Sequence, residues 1–88
     1  MVKIYSTTWC PSCVSAKRLF DELDVTYEEI NIEEEEMSRE ALAEITNGRT
    51  VPQIVINGEC IGGFDNLLSL HQEGKLKELL SKWLMQRF

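Results

Sequence analysis

Trp9-Cys10-Pro11-Ser12-Cys13 follows a short apolar run, Val2-Lys3-Ile4-Tyr5, and opens a helical pattern that continues to about Leu23. Two cysteines three residues apart at the mouth of a helix lie close together, near the positive end of its dipole. That field favours a thiolate, and cysteines in such motifs have pKa values of roughly 3.5–7.5 in place of about 8.5. Cys10 stands where unpaired N–H groups can solvate an anion, so it reads as the attacking thiolate. Cys13, one turn in and shielded, reads as the resolving thiol. Pro11 lacks only an N–H that the first turn would not use.

Around this junction the chain alternates strands and helices. Val2 to Tyr5 predict a first strand running into a Ser-Thr-Thr loop. Ala16, Leu19, Phe20 and Leu23 share one helical face from Pro11 to Asp24, with Lys17, Arg18, Asp21 and Glu22 opposite. Val25 to Ile32 predict a second strand, with a bulge or strand end near Glu28-Glu29 where the apolar phase slips. Glu33 to Glu36 read as a solvated loop and the acidic first turn of a helix, with a basic partner surface as the other reading. Met37, Ala41, Leu42 and Ile45 supply that second helix a narrow stripe, and Asn47-Gly48 stops it in the left-handed manner.

Val51 to Ile56 predict a third strand, Asn57-Gly58 a tight hairpin turn, and Glu59 to Gly62 the returning fourth strand. Asp65 is placed to cap a third helix over about Asn66 to Gln72, and Gly74 breaks it. Leu76, Leu79, Leu80, Trp83 and Leu84 then mark a terminal amphipathic helix, which Trp83 and Phe88 anchor. An alternating first half implies parallel strands joined by crossover helices, and the hairpin adds antiparallel ones. The expected class is α/β, a four-stranded mixed sheet with helices on both faces, in one domain over residues 1–88.

A net charge of −6, from 15 acids against 9 bases, disfavours nucleic acid or an anionic membrane surface as a partner. No apolar run approaches the ~20 residues of a membrane span, and the first residues carry no secretory signal. An odd count of three cysteines argues against a secreted disulfide framework. A thiol-using protein of a reducing compartment is expected, cytoplasmic in a bacterium, with an organelle matrix as the eukaryotic alternative.

The cysteine pair has competing readings. Half a zinc site would need a second half, and only Cys60 and His71 remain to supply it, so no metal is expected. A purely structural disulfide across so short a loop would stabilise little. A redox pair fits best. Pro52 is either an edge feature at the start of a strand or a cis proline facing the thiols. Cys60 reads as a small buried hydrophobe, with a regulatory thiol as the alternative, and His71 as a surface helix residue.

Taken together, Trp9-Cys10-Pro11-Ser12-Cys13, Thr50-Val51-Pro52-Gln53-Ile54, Asn57-Gly58 and Ile61-Gly62-Gly63-Phe64-Asp65 resemble a glutaredoxin over nearly the whole chain. C-x-x-C alone is common to the thioredoxin superfamily, whereas its combination with T-V-P-Q-I and G-G-x-D is specific. The resemblance implies a thioredoxin-like fold and glutathione-dependent reduction of protein disulfides and glutathionylated proteins by a monomer. It implies that Val51 and a cis Pro52 flank the thiols, with the backbone of the residue before the proline pairing with the glutathione cysteine. It implies that the Phe64 backbone and the Asp65 side chain hold the γ-glutamyl end.

Three residues depart from the family pattern. Thr7 stands where many glutaredoxins carry a lysine, leaving the helix dipole more of the thiolate stabilisation and Arg49 as the cation for the glycine carboxylate. Ser12 replaces the usual tyrosine and opens the groove, and Trp9 resembles the thioredoxin pattern. Two other modes remain open on this resemblance: a glutathione-ligated [2Fe–2S] cluster bound through Cys10, and an electron carrier reduced by thioredoxin reductase.

Overall fold

The computed structural model of the chain describes residues 1–46 and 48–86, the last six of these by backbone alone. The elements follow in the order β1 (Val2–Ser6), α1 (Pro11–Glu22), β2 (Tyr27–Asn31), α2 (Arg39–Thr46), β3 (Gln53–Ile56), β4 (Glu59–Gly62), α3 (Phe64–Gln72) and α4 (Lys75–Gln86). The sheet order is β2-β1-β3-β4. β1 runs parallel to β2 and antiparallel to β3, and β3 is antiparallel to β4. The expected mixed sheet with helices on both faces is therefore the observed one.

Strand alternation sorts the core into two layers. Val2, Ile4, Ile54 and Ile56 point to one face and bury against Ala16 and Phe20 of α1, Leu67 of α3 and Leu76 of α4. Tyr5 points the other way and packs with Ile32 and Leu42 of α2. Asn57 and Gly58, with φ of 53° and 85°, close the β3–β4 hairpin as their dipeptide predicts.

Several expectations need correction. β2 carries no bulge: it pairs with β1 without a break, from Val2 opposite Tyr27 to Ser6 opposite Asn31. The phase slip arises because Val25 precedes the strand and both strand faces are partly covered. Tyr27 packs with the α1 layer and Ile30 with the α2 layer. The irregularity lies instead between β3 and β4, where Ile54 faces Gly62 and Val55 faces Cys60, leaving Ile61 as the extra residue. The acids Glu33 to Glu36 form a turn ahead of α2 and do not enter its first turn. Ser38 caps that helix, its hydroxyl accepting from the Ala41 N–H at 3.0 Å. Ile45 is 52% exposed and does not join the apolar stripe. Of the predicted Asn47-Gly48 helix stop, Asn47 lies outside the described residues. Phe88 and the side chain of Trp83 lie outside them too.

Behind the sheet edge, the Glu29 carboxylate accepts from Lys17 Nζ of α1 at 2.9 Å and from the buried Ser6 hydroxyl at 2.8 Å. One carboxylate thus ties α1 to β1 and β2. The bond from Lys17, opposed by partial burial and helped by Ser6, holds the Glu29 carboxyl below its ordinary value. The unfolded chain therefore takes up this proton at higher pH than the folded one. Stability from the pair is present above the ordinary carboxylate range and drains away as pH falls through the folded value. For so exposed a pair the contribution stays under about 1 kcal/mol. Lys17→Met should lower the urea midpoint slightly at pH 7 and match the parent once the pH is well below the carboxylate range. A deficit that persists in acid would show that the charge pair is not its source. Phe20 is wholly buried, with its ring 6.1 Å from that of Tyr27. Phe20→Ala should cost about 3–5 kcal/mol in equilibrium unfolding.

Candidate active site

The end of β1 sets the position of the thiols. Beyond Ser6 the chain turns through Thr7, Thr8 and Trp9, and this loop is held from the neighbouring strand. The Thr8 N–H donates to Glu33 at 2.8 Å, and the Asn31 amide donates to the Thr8 hydroxyl at 3.3 Å. Cys10 then caps α1 in extended conformation, φ −154° and ψ 97°, with Pro11 in the first turn. Its Sγ accepts from the Cys13 N–H at 3.1 Å, as a serine or aspartate would at such a position. Negative charge on that sulfur meets an aimed donor and the positive end of the helix.

Cys10 and Cys13 are joined by a disulfide, with Cα atoms 5.2 Å apart. Cys13 is 2% exposed, Cys10 half-buried at the rim. Cys10 is the more accessible of the two sulfurs. Among the described residues no group of three or more His, Cys, Asp and Glu side chains is placed to hold a metal ion.

A groove of about 170 Å³ opens beside the pair. One wall is Thr50, Val51 and Pro52, and the Val51–Pro52 peptide is cis, which decides between the two readings of that proline. The other wall is Gly63, Phe64 and Asp65, with Ser12 of α1 at the end. Among the described residues, neither the N–H nor the C=O of Val51 is hydrogen-bonded within the chain. This short backbone edge is free to pair with an extended peptide.

Opposite it, α3 begins at Phe64 with Gly63 as a cap that offers no side-chain bond. The first N–H groups of α3 therefore face the groove without intrahelical partners. Asp65 is not the cap that the sequence suggested. It sits exposed in the first turn of α3 and lines the groove. Gly62, at φ 105°, makes the bend that brings this terminus round, and any side chain there would strike Asn66.

Of the residues singled out from sequence, the structure gathers Val51, Pro52, Phe64 and Asp65 into one groove near Cys10 and Cys13. Arg49 is exposed and does not line that groove; its carbonyl accepts from the Arg39 guanidinium at 2.9 Å. Trp9 is 84% exposed at the rim. Cys60 is half-buried on β4, its thiol bonded to the Thr46 carbonyl at the end of α2. Three contributors went unnoticed in the sequence. Thr50 and Gly63 sit within the quoted motifs, where adjacency to Pro52 and Phe64 was a signal. Glu33 was hidden in a run of like residues, and only the parallel pairing of β1 with β2 reveals which acid meets Thr8.

Comparison with known proteins agrees with this geometry. Residues 2–61 match the family model described as Glutaredoxin. The chain is 46% identical over 84 residues to Glutaredoxin-C6 of Oryza sativa subsp. japonica, covering 92% of this chain and 75% of that one. It is 42% identical over 80 residues to a glutaredoxin of Pseudomonas aeruginosa, covering 91% and 95%. Among solved structures, the buckwheat glutaredoxin–glutathione complex superposes with a TM-score of 0.81 at 35% identity, covering 92% of this chain and 76% of that one. Wheat glutaredoxin superposes with the same TM-score at 40% identity, covering 92% and 78%. With its paired cysteines at the head of α1, the chain belongs to the glutaredoxin family and is a thiol–disulfide oxidoreductase.

Proposed function

We propose that the electrons come from glutathione, and that the protein reduces protein disulfides and glutathione mixed disulfides as a monomer in a reducing compartment such as the cytoplasm. One observation carries the proposal: the free Val51 backbone edge and the open start of α3 face each other across a groove beside Cys10. A γ-glutamyl tripeptide presents a backbone to pair with the first and an α-carboxylate for the second. Its ammonium suits the exposed Asp65 carboxylate.

In reducing a glutathionylated protein, the Cys10 thiolate attacks the glutathione sulfur and the protein thiolate leaves. A second glutathione thiolate then attacks the mixed disulfide, releasing oxidised glutathione and restoring Cys10. On a protein disulfide, Cys10 attacks one sulfur and expels the other as a thiolate. Cys13, one turn along, attacks Cys10 Sγ and frees the substrate's second thiolate. The Cys10–Cys13 disulfide that results is the state seen in the structure, and two glutathiones return it to the dithiol. Buried Cys13 is placed to meet the Cys10 sulfur and not a substrate disulfide in solution.

Cys10→Ser should reduce turnover of a glutathione mixed disulfide to the uncatalysed background. Cys13→Ser should keep that activity and lose the dithiol route to protein disulfides. Loss in Cys13→Ser alone would reverse the assigned roles. Asp65→Ala removes a charge-assisted contact and should raise the KM for glutathione about 10- to 100-fold in a coupled assay. Running the same assay with thioredoxin reductase in place of glutathione tests the electron source. Efficient reduction by the reductase, with none by glutathione, would overturn the proposal.

A further inference from the structure

We propose that Gln53 is a positioning residue for the glutathione groove: its buried side-chain amide clips the Thr50–Val51–Pro52 wall to the body of the sheet. The inference rests on the glutathione reading of that groove.

Gln53 opens β3 on the α2 face of the sheet, opposite Tyr5, where alternation calls for an apolar side chain. It is only 4% exposed. A buried amide without partners costs about 1–3 kcal/mol, so its bonds define where it must lie. Nε2 donates to the Thr50 carbonyl at 3.0 Å, with the Thr50 hydroxyl at 3.3 Å. At the other end Oε1 lies 3.8 Å from the Cys60 thiol of β4. That thiol is in turn bonded to the end of α2 through the Thr46 carbonyl. One side chain thus spans from two secondary-structure elements to an exposed loop.

The loop needs such a restraint. Pro52 has no N–H, and among the described residues the Val51 backbone bonds nothing within the chain. An edge left free to pair with a ligand cannot also hold itself in place. The carbonyls before it are instead fixed by side chains, Arg49 by Arg39 and Thr50 by Gln53. Exact placement of a binding edge matters because a small misplacement weakens every bond it makes.

A second observation points to the same clip. Gly48 packs against the same amide. A methyl group on its Cα would stand 2.6 Å from Gln53 Nε2 and 3.2 Å from the amide carbon. A side chain at Gly48 would push the amide from where it lies. Gly48→Ala is therefore a remote way of dislodging Gln53.

The test is a double-mutant cycle on the full chain, read as KM for glutathione and kcat in the coupled assay. Gln53→Met keeps the side chain's length and removes its donor. It should raise KM about three- to tenfold, the range one hydrogen bond supports, with kcat changed less than about twofold. Gly48→Ala should raise KM by a similar factor. In a Gln53→Ala background, where the amide is gone, adding Gly48→Ala should raise KM no further. Unchanged KM in Gln53→Met, or an equal Gly48→Ala penalty with and without the amide, overturns the inference. If Gln53→Met does not fold, Gly48→Ala decides alone: a wild-type KM overturns it. A wild-type protein with no saturable dependence on glutathione removes the functional reading and this inference together. Ordinary glutathione kinetics with variants indifferent to the amide removes the inference only.

Discussion

The Cys10 sulfur sits where β1 stops and α1 starts, and it is held there from three sides. Below it, β1 is an interior strand paired on both edges, so its end cannot move without the sheet. Behind it, Ala16 and Phe20 bury α1 against that sheet. Beside it, Thr8 and Asn31 lash the intervening loop to the parallel neighbour β2. With the helix fixed, the Cys13 N–H and the helix dipole act on one point in space, the Sγ of the capping residue. The chemistry of the pair follows from this arrangement of backbone, because a cysteine at a helix cap is solvated as an anion by groups that need no reorganisation.

The groove is assembled from a different part of the chain under the opposite constraint. Its walls must leave polar backbone unpaired, since those groups are what a peptide ligand would bond. β3 therefore begins only at Gln53, and the cis Val51–Pro52 peptide lies outside the ladder. The start of α3 has a glycine for a cap and no side chain competing for its N–H groups. Unbonded backbone has little to fix it, so the work of holding the loop passes to side chains behind it. Among the described residues, exposed Arg39 and buried Gln53 do so.

Much of this was legible in residue order. The strand-helix alternation, the Asn57-Gly58 hairpin, the helix cap at Cys10 and the break at Gly74 each follow from local rules, and the structure contains all of them. Cys10 and Cys13 differ in exposure as their places in the first helical turn imply. Misreadings fell where a local signal had two tertiary meanings. The Val25 to Ile32 phase slip looked like a bulge because a strand covered on both faces loses its period of two. Asp65 looked like a cap because acids and caps share helix N-termini, yet the bend at Gly62-Gly63 moves the boundary back by two residues.

By itself, then, the order of residues determined the elements, their sequence along the chain and the placing of the cysteine pair at the head of α1, because these depend on neighbours within one or two turns. Only the folded chain decided which distant groups meet. It chose Glu33 among four acids to hold the Thr8 N–H, and left Arg49 outside the groove. It made Gly48 and Gln53, five residues apart, a single packed unit. Such choices turn on strand register and on the space left between layers, and neither quantity is written in any local stretch of sequence.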